Sequence, residues 1–238
     1  MNKMNIWKIP EEVLEYKAYL KELGDSDVLV KPIVAFGDSI TLSSMIEPEK
    51  RWTRLLESKI NTKVINAGIG ATTSAFGRER LDRDVLSLDP SMVIFCFLLN
   101  DGFITGWESV DNYFIKLTVQ QSCYNTREII KRCRNSGAEV VMWTADPIGK
   151  EYPVKCFPED YSDCSLLNEF NRIQRERYEY FLKCLLHVAE SENVLVVDTY
   201  KIFSNIGEPK KYLGEDDVHL NENAQVIIAD ALYEHVFK

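Results

Sequence analysis

Three residue types that together perform acyl transfer, a serine, a histidine and an acid, lie at two distant places in the chain. Ser39 follows a short apolar run, 33–36, and a Gly-Asp pair, while Asp216 and His219 lie near the carboxyl terminus. A serine hydroxyl is a weak nucleophile and needs a base. His219 could take its proton, and Asp216 could hold the imidazole in the correct tautomer. Asp217 is the rival of Asp216 for the role of the acid.

Acyl transfer also needs hydrogen-bond donors for the oxyanion of its tetrahedral intermediate. Asn100 offers a side-chain amide, the turn at Gly70 and Ala71 offers backbone N–H groups, and Ser39 offers its own N–H. Each of these residues also has a plain structural explanation, as a turn or a helix cap. Asp38 in the same way could bond within the Ser39 turn or only cap a helix.

The elements that would position these residues alternate along the chain. Short apolar runs predict five strands, at 32–36, 64–66, 92–99, 139–143 and 194–197. Helical spacing predicts helices at 10–23, 49–60, 74–86, about 111–135, about 164–190 and 221–236. Loops are predicted at 101–109, 145–163 and 198–217, the last of which could include one helical turn. The pattern contains no obvious hairpin. It predicts one α/β domain over 1–238, a parallel sheet with helices on both faces, whose strand ends bring the polar residues to one edge.

Composition excludes several other classes of protein. The chain has 238 residues and a formal charge of −9, which argues against a nucleic-acid surface. Its six cysteines are scattered without a C-x-x-C pair, so no metal site is expected, and the chemistry above needs no cofactor. No apolar run reaches the roughly 18 residues of a membrane span. The first residues lack a signal-peptide pattern, so we expect a cytoplasmic protein unless a leader was removed.

Four segments in order resemble the sequence blocks of the SGNH hydrolases, also called the GDSL esterase/lipase family: 37–39, 66–71, 100–101 and 216–219. The resemblance implies a three-layer α/β/α fold, flavodoxin-like, with a five-stranded parallel sheet of order 2-1-3-4-5. It also implies ester hydrolysis through an acyl-serine intermediate, with Ser39, His219 and Asp216 as the triad.

In the same resemblance, Ser39, Gly70 and Asn100 form the oxyanion hole. Counted along the family's second block, the residue whose backbone N–H donates to the oxyanion could be Gly70 or Ala71. One position departs from the family, because Leu98 stands where the third block usually has glycine.

Four aromatic residues lie on loops that follow the third and fourth predicted strands: Phe103, Trp107, Tyr152 and Phe157. They could line an acyl or sugar pocket, or only pack the loops against the domain. The expected substrate is a small or carbohydrate-linked ester, for example an O-acetyl ester. Two alternatives stay open: an acyltransferase that uses the same serine, and a catalytically inactive flavodoxin-like binding protein.

Overall fold

The computed structural model of the chain describes residues 8–23, 30–105, 114–144, 164–216 and 218–238. Its strands are β1 Ile33–Gly37, β2 Val64–Gly68, β3 Met92–Cys96, β4 Ile104–Thr105, β5 Phe114–Ile115, β6 Glu139–Trp143 and β7 Leu195–Val197. Its α-helices are α1 Glu11–Glu22, α2 Ser39–Leu42, α3 Trp52–Ile60, α4 Ser74–Asp84, α5 Leu98–Gly102, α6 Val119–Asn135, α7 Cys164–Ser191, α8 Thr199–Ile206 and α9 Glu222–Leu232.

Five of these strands form one parallel sheet in the order β2-β1-β3-β6-β7. Counted within the sheet, the order is 2-1-3-4-5, so the predicted fold class is confirmed. Every residue of β1, β2 and β3 is buried, as expected for strands of a parallel sheet that is covered on both faces. Gly37 pairs with Gly68 on one side and with Cys96 on the other, so these three strands end side by side.

Helices cover the sheet in two groups, which gives three layers. One group is α3 with α9, and the other is α4, α6 and α7, packed in sequence against one another. Helix α1 lies against the edge strand β2, where Glu12 Oε2 accepts a hydrogen bond of 2.9 Å from the Asn66 N–H. This contact covers part of a strand edge that would otherwise expose unpaired backbone groups. Among the described residues, no helix is long and apolar enough to cross a membrane.

The prediction of a single strand over 92–99 is wrong. Strand β3 ends at Cys96, the backbone turns at Phe97 with φ −136° and ψ 31°, and α5 begins at Leu98. A continuous apolar run has no period that separates a buried strand from a buried helix. Asn100 therefore lies in a short helix beyond the strand end.

Three further elements differ from the prediction. Helix α6 begins at Val119 instead of about 111, after a capping box between Thr118 and Gln121. Strands β4 and β5 form an antiparallel pair where no hairpin was expected. The segment 198–217, predicted as a loop that could include one helical turn, contains the two-turn helix α8, capped by Asp198, and a 3-10 turn.

Candidate active site

The serine lies in a tight turn between β1 and α2. Asp38 caps α2, because its Oδ1 accepts a hydrogen bond of 3.0 Å from the Ile40 N–H. A Cβ at Gly37 would collide with the Thr41 side chain and the Cys96 carbonyl oxygen, so only glycine fits before this turn. Ser39 is 7% exposed at the first position of α2. The turn thus holds the hydroxyl at the carboxyl edge of the sheet.

A buried guanidinium supports this turn. Arg80 Nη2 donates to the Gly37 carbonyl at 2.8 Å, and Nη1 donates to the Ala67 carbonyl at 2.7 Å. The group pairs with Asp84 at 3.1 Å and lies over the Phe36 ring. Burial lowers the pKa of Arg80 to about 10, and Asp84 opposes that shift, so Arg80 is charged at neutral pH. Arg80 ties the ends of β1 and β2 together, a role that sequence reasoning missed.

Of the two candidate backbone donors, Gly70 lies against the serine. A Cβ built on Gly70 would be 3.8 Å from Ser39 Cβ. The neighbouring Ile69 N–H donates to the Gly37 carbonyl at 3.1 Å, which fixes this loop beside the Ser39 turn. Ala71 is exposed and adopts a left-handed φ of 58°.

Asn100 is hydrogen-bonded directly to the turn that carries Ser39. Its Nδ2 donates to Asp38 Oδ2 at 3.1 Å, and its backbone N–H also bonds to Asp38. Burial raises the pKa of Asp38, while the bonds from Ile40 and Asn100 and the charge of His219 act against that rise. The bond to Asp38 uses one of the two hydrogens on Nδ2, which leaves the second for another acceptor.

Asp101, next in the chain, connects the helices behind the site. It is fully buried, and its carboxylate accepts bonds from the Ser74 N–H at 2.8 Å and the Ser122 hydroxyl at 2.6 Å. Burial raises the pKa of Asp101 to about 6, against the lowering effect of these bonds. Asp101 therefore joins the start of α4 to α6.

The predicted acid and base form a close pair. His219 Nδ1 lies 2.5 Å from Asp216 Oδ2, and Asp216 Oδ1 accepts from the backbone N–H groups of Val218 and His219 at 3.0 and 2.9 Å. Burial acts to raise the pKa of Asp216, but the hydrogen bonds from His219 and Val218 outweigh it and lower the pKa. A carboxylate only accepts hydrogen bonds, so Nδ1 carries the hydrogen and Nε2 is the basic nitrogen.

The loop that carries Asp216 and His219 leads into α9, and α9 contacts the end of the helix that carries Ser39. Gln225 Oε1 accepts from the Ser43 hydroxyl at 2.8 Å and from the Trp52 N–H at 3.1 Å, which joins α9 to the end of α2. His219 is near enough for its charge to act on the carboxyl of Asp38. Within the described residues, no hydrogen bond joins the Ser39 hydroxyl to His219. Such bonds are often long without substrate and tighten when it binds.

Comparison with known families is decisive for the class of protein. A family model described as GDSL-like lipase/acylhydrolase matches residues 35–226. The chain belongs to this family. The match includes the Ser39 turn, the Gly70 loop, Asn100 and the pair of Asp216 and His219, so the resemblance seen in the sequence is confirmed at the level of the family.

Individual relatives of this GDSL-family chain are distant. An uncharacterized lipoprotein, YqeF, from Bacillus subtilis (strain 168) is 28% identical over 123 residues, and the chain spans 49% of its length. A putative acylhydrolase from Bacteroides fragilis NCTC 9343 superposes with a TM-score of 0.65 at 18% identity, over 95% of this chain and 97% of that one. The acetyl xylan esterase AlAXEase gives a TM-score of 0.60 at 21% identity, over 87% and 100%. At these identities the solved structures show the shared fold.

The remaining predicted residues of this GDSL-family site fall in three places. Phe103 is 5% exposed, and its ring centroid lies 5.6 Å from that of Tyr178, so it packs in the core beside α7. Leu98 is 2% exposed at the start of α5. Three aromatic candidates and the rival acid lie outside the described residues: Trp107, Tyr152, Phe157 and Asp217. Over the described ranges, no cluster of side chains could hold a metal ion.

Proposed function

We propose that this chain is a serine esterase that acts on small or carbohydrate-linked esters, such as O-acetyl esters, through an acyl-serine intermediate. The observation that supports this most is the pair of Asp216 and His219, with 2.5 Å between Oδ2 and Nδ1. A carboxylate held by two backbone N–H groups fixes the imidazole so that Nε2 can act as a base. Membership of the GDSL family supports the same chemistry.

In the proposed mechanism, His219 Nε2 takes the proton of the Ser39 hydroxyl as Oγ attacks the ester carbonyl carbon. Asp216 stabilises the imidazolium that forms. The proton then passes to the leaving alkoxide, and the C–O bond breaks to give the acyl-serine and the free alcohol. Water attacks the acyl-serine with His219 again as the base, which releases the acid and restores the serine.

The oxyanion of each tetrahedral intermediate would receive three donors: the N–H of Ser39, the N–H of Gly70 and the second N–H of Asn100 Nδ2. Gly70 is preferred over Ala71 because it lies against Ser39. Such donors contribute most when they are fixed before the reaction, since they need no reorganisation as charge develops. The bond from Asn100 to Asp38 gives the amide that fixed position.

Acetylated carbohydrates are the first natural substrates to test. The acetyl xylan esterase AlAXEase supports this choice, because a protein of that activity shares this fold. The fold alone does not settle the alcohol or the acyl length. A panel of p-nitrophenyl acetate, butyrate and octanoate, together with acetylated xylan, separates short from long acyl chains.

The test compares the wild type with Ser39→Ala and with Ser44→Ala, which removes an exposed hydroxyl five residues later. We expect Ser39→Ala to lose hydrolysis by about 10³-fold or more, since the nucleophile is gone. Ser44→Ala should match the wild type. Equal hydrolysis by the wild type and Ser39→Ala would exclude Ser39 from the mechanism.

Two added measurements separate the alternatives. A fluorophosphonate probe should label the folded wild type on Ser39, and absence of labelling would favour an inactive binding protein. Product analysis with an alcohol acceptor present should give mainly the free acid. A predominance of the new ester would instead identify an acyltransferase that uses the same serine.

A further inference from the structure

A lysine outside every predicted motif contacts the oxyanion side of the site. Lys116 follows β5 and precedes the capped start of α6. Its Nζ donates a hydrogen bond of 2.7 Å to Asn100 Oδ1. The lysine is partly buried, so this contact is shielded from bulk water and is stronger than an exposed one.

The contact leaves the Asn100 amide with one favourable orientation. Nδ2 donates to Asp38 Oδ2 on one side, and Oδ1 accepts from Lys116 on the other. A carboxylate only accepts hydrogen bonds and an ammonium only donates them. A flipped amide would put oxygen against the Asp38 carboxylate and NH₂ against the Lys116 ammonium, and both bonds would be lost.

The backbone that carries Lys116 is itself held on both sides. The Leu117 carbonyl accepts a bond of 2.6 Å from Arg177 Nη2, which joins this segment to α7. Thr118 then caps α6 reciprocally with Gln121. The ammonium therefore extends from a fixed segment, which is what a positioning group requires.

Two carboxylates near Lys116 oppose the effect of its burial. Burial lowers the pKa of Lys116, while the nearby carboxylates of Asp38 and Asp101 act to raise it. A protonated lysine also brings a positive charge to the side of the site where the oxyanion would form. Charge of this sign favours an anionic intermediate over a neutral ester.

We propose that Lys116 is a positioning residue that orients the Asn100 amide, so that its second N–H points at the oxyanion. This proposal rests on the proposed esterase function. Because it acts on the intermediate more than on the bound ester, Lys116 should affect kcat more than KM.

The experiment measures kcat and KM for p-nitrophenyl acetate in Lys116→Met, Lys116→Arg and Lys131→Met. Lys116→Met removes the hydrogen-bond donor and keeps a side chain of similar length. We expect kcat to fall about tenfold and KM to stay within about twofold of the wild type. This loss is smaller than the effect of about 10²–10³-fold of removing an oxyanion donor itself, because Lys116 only orients that donor. Lys116→Arg keeps a cationic donor and should recover most of the loss. Lys131 lies exposed on α6, so Lys131→Met is the matched control and should equal the wild type.

A double-mutant comparison separates positioning from general structural damage. In an Asn100→Ala background, Lys116→Met should have little further effect on kcat, because the amide through which it acts is gone. Thermal melts show whether each variant is folded. If Lys116→Met does not fold, Lys116→Gln serves instead, since its polar side chain ends one atom short of the Nζ position.

The outcomes distinguish this proposal from the proposed function. If Ser39→Ala loses activity but the Lys116 variants match the wild type in kcat, only the positioning role is overturned. An equal loss from Lys116→Met with and without Asn100→Ala, or a loss confined to KM, also overturns it. If Ser39→Ala stays active, the esterase mechanism fails and the role of Lys116 fails with it.

Discussion

The two halves of the candidate site are held in opposite ways. The strand-end half is made of Asp38, Ser39, Gly70 and Asn100, at the ends of β1 and β2 and on α5, and Asp38 is buried. The loop half, made of Asp216 and His219, precedes α9, and the Asp216 side chain is 36% exposed. Burial raises the pKa of Asp38, whereas hydrogen bonds lower that of Asp216 against the effect of burial.

The difference indicates that the two halves are linked to the fold to different degrees. The strand-end half is hydrogen-bonded to the ends of β1 and β2 through Arg80, and Asp101, next to Asn100, joins α4 to α6. Changes there should therefore disturb stability. The loop half is held mainly by its own backbone, for example by the 2.7 Å bond from the Gly214 N–H to the His219 carbonyl. Changes there should affect the chemistry and leave the fold intact.

The largest expected effect is on the loop half, with Asp216→Asn. The amide can donate to His219 Nδ1, which favours the tautomer with hydrogen on Nε2 and removes the base. We expect ester hydrolysis to fall by about 10³–10⁴-fold. Asparagine still accepts from the backbone N–H groups of Val218 and His219, so the melting temperature should change little.

Glu215→Gln, a neighbouring exposed acid, is the matched control and should keep wild-type activity. Hydrolysis kinetics on p-nitrophenyl acetate and thermal melts, measured on the same samples, test this prediction. A large loss of stability in Asp216→Asn would show that the loop half is linked to the fold as strongly as the strand-end half.

The next effect is on stability, with Arg80→Met. This change removes the buried cation that joins the Gly37 and Ala67 carbonyls and leaves the fully buried Asp84 with Arg83 as its remaining cationic partner. Breaking a buried pair from one side costs about 3–5 kcal/mol. Because Arg83 still contacts Asp84, we expect a loss near the lower end, about 3 kcal/mol, in urea unfolding.

Arg172→Met removes an exposed arginine on α7 and should change stability by less than about 0.5 kcal/mol. The double variant Arg80→Met/Asp84→Leu removes both charges and should recover part of the loss. If Arg80→Met is as stable as the wild type, Arg80 does not support the turn that carries Ser39.

A smaller effect, dependent on pH, is expected from Asp101. Its pKa in the folded protein, about 6, lies above its ordinary value of 3.8, so the folded state binds the proton more tightly than the unfolded state. The stabilising contribution is therefore fully present below about pH 4 and is lost as pH rises through about 6. The shift corresponds to at most about 3 kcal/mol.

The measurement is urea unfolding of the wild type and Asp101→Asn across this pH range. The stability of the wild type relative to the variant should fall as the pH rises from about 4 to about 6 and then stay level. A constant difference, or one of opposite sign, would show that burial does not dominate the titration of Asp101.

The smallest effect is expected at Gly70. Its Cβ position has no neighbour nearer than Ser39 Cβ at 3.8 Å, and a backbone N–H donates from alanine as well as from glycine. Gly70→Ala should keep stability within about 0.5 kcal/mol and hydrolysis within about threefold. In Gly68→Ala the new Cβ would collide with the Leu42 backbone, so this variant should be clearly less stable. Equal behaviour of the two variants would contradict the geometry of the Gly70 loop.

Much of the fold follows from the sequence, because buried parallel strands are short apolar runs between helical patterns. Strand β6 has the predicted bounds, and α7 begins at Cys164 as expected. The wrong element bounds occur where the local sequence pattern does not distinguish a strand from a helix, or where a capping pattern was overlooked. The run 92–99 has no period, and the Thr-x-x-Gln pattern at Thr118 marks the true start of α6.

The candidate site was predictable where it coincides with strand ends and family blocks. Lys116 was missed because it lies in no motif and in a stretch predicted as helix. Arg80 was missed because nothing on its own helix reveals that it reaches the carbonyls of two strands. Recognition of the cap at Thr118 would have placed Lys116 before α6, but not beside Asn100. The single-domain organisation and the cytoplasmic location stay predictions.

The central claim is that the two halves meet at Ser39, and a crystal structure of the protein after reaction with a fluorophosphonate tests it most directly. We expect phosphorus on Ser39 Oγ and a phosphoryl oxygen about 2.7–3.1 Å from the N–H groups of Ser39 and Gly70 and from Asn100 Nδ2. His219 Nε2 should lie within hydrogen-bond reach of Oγ, about 2.6–3.2 Å. A phosphonate on another residue, or an adduct oxygen that points away from Asn100 and Gly70, would contradict it.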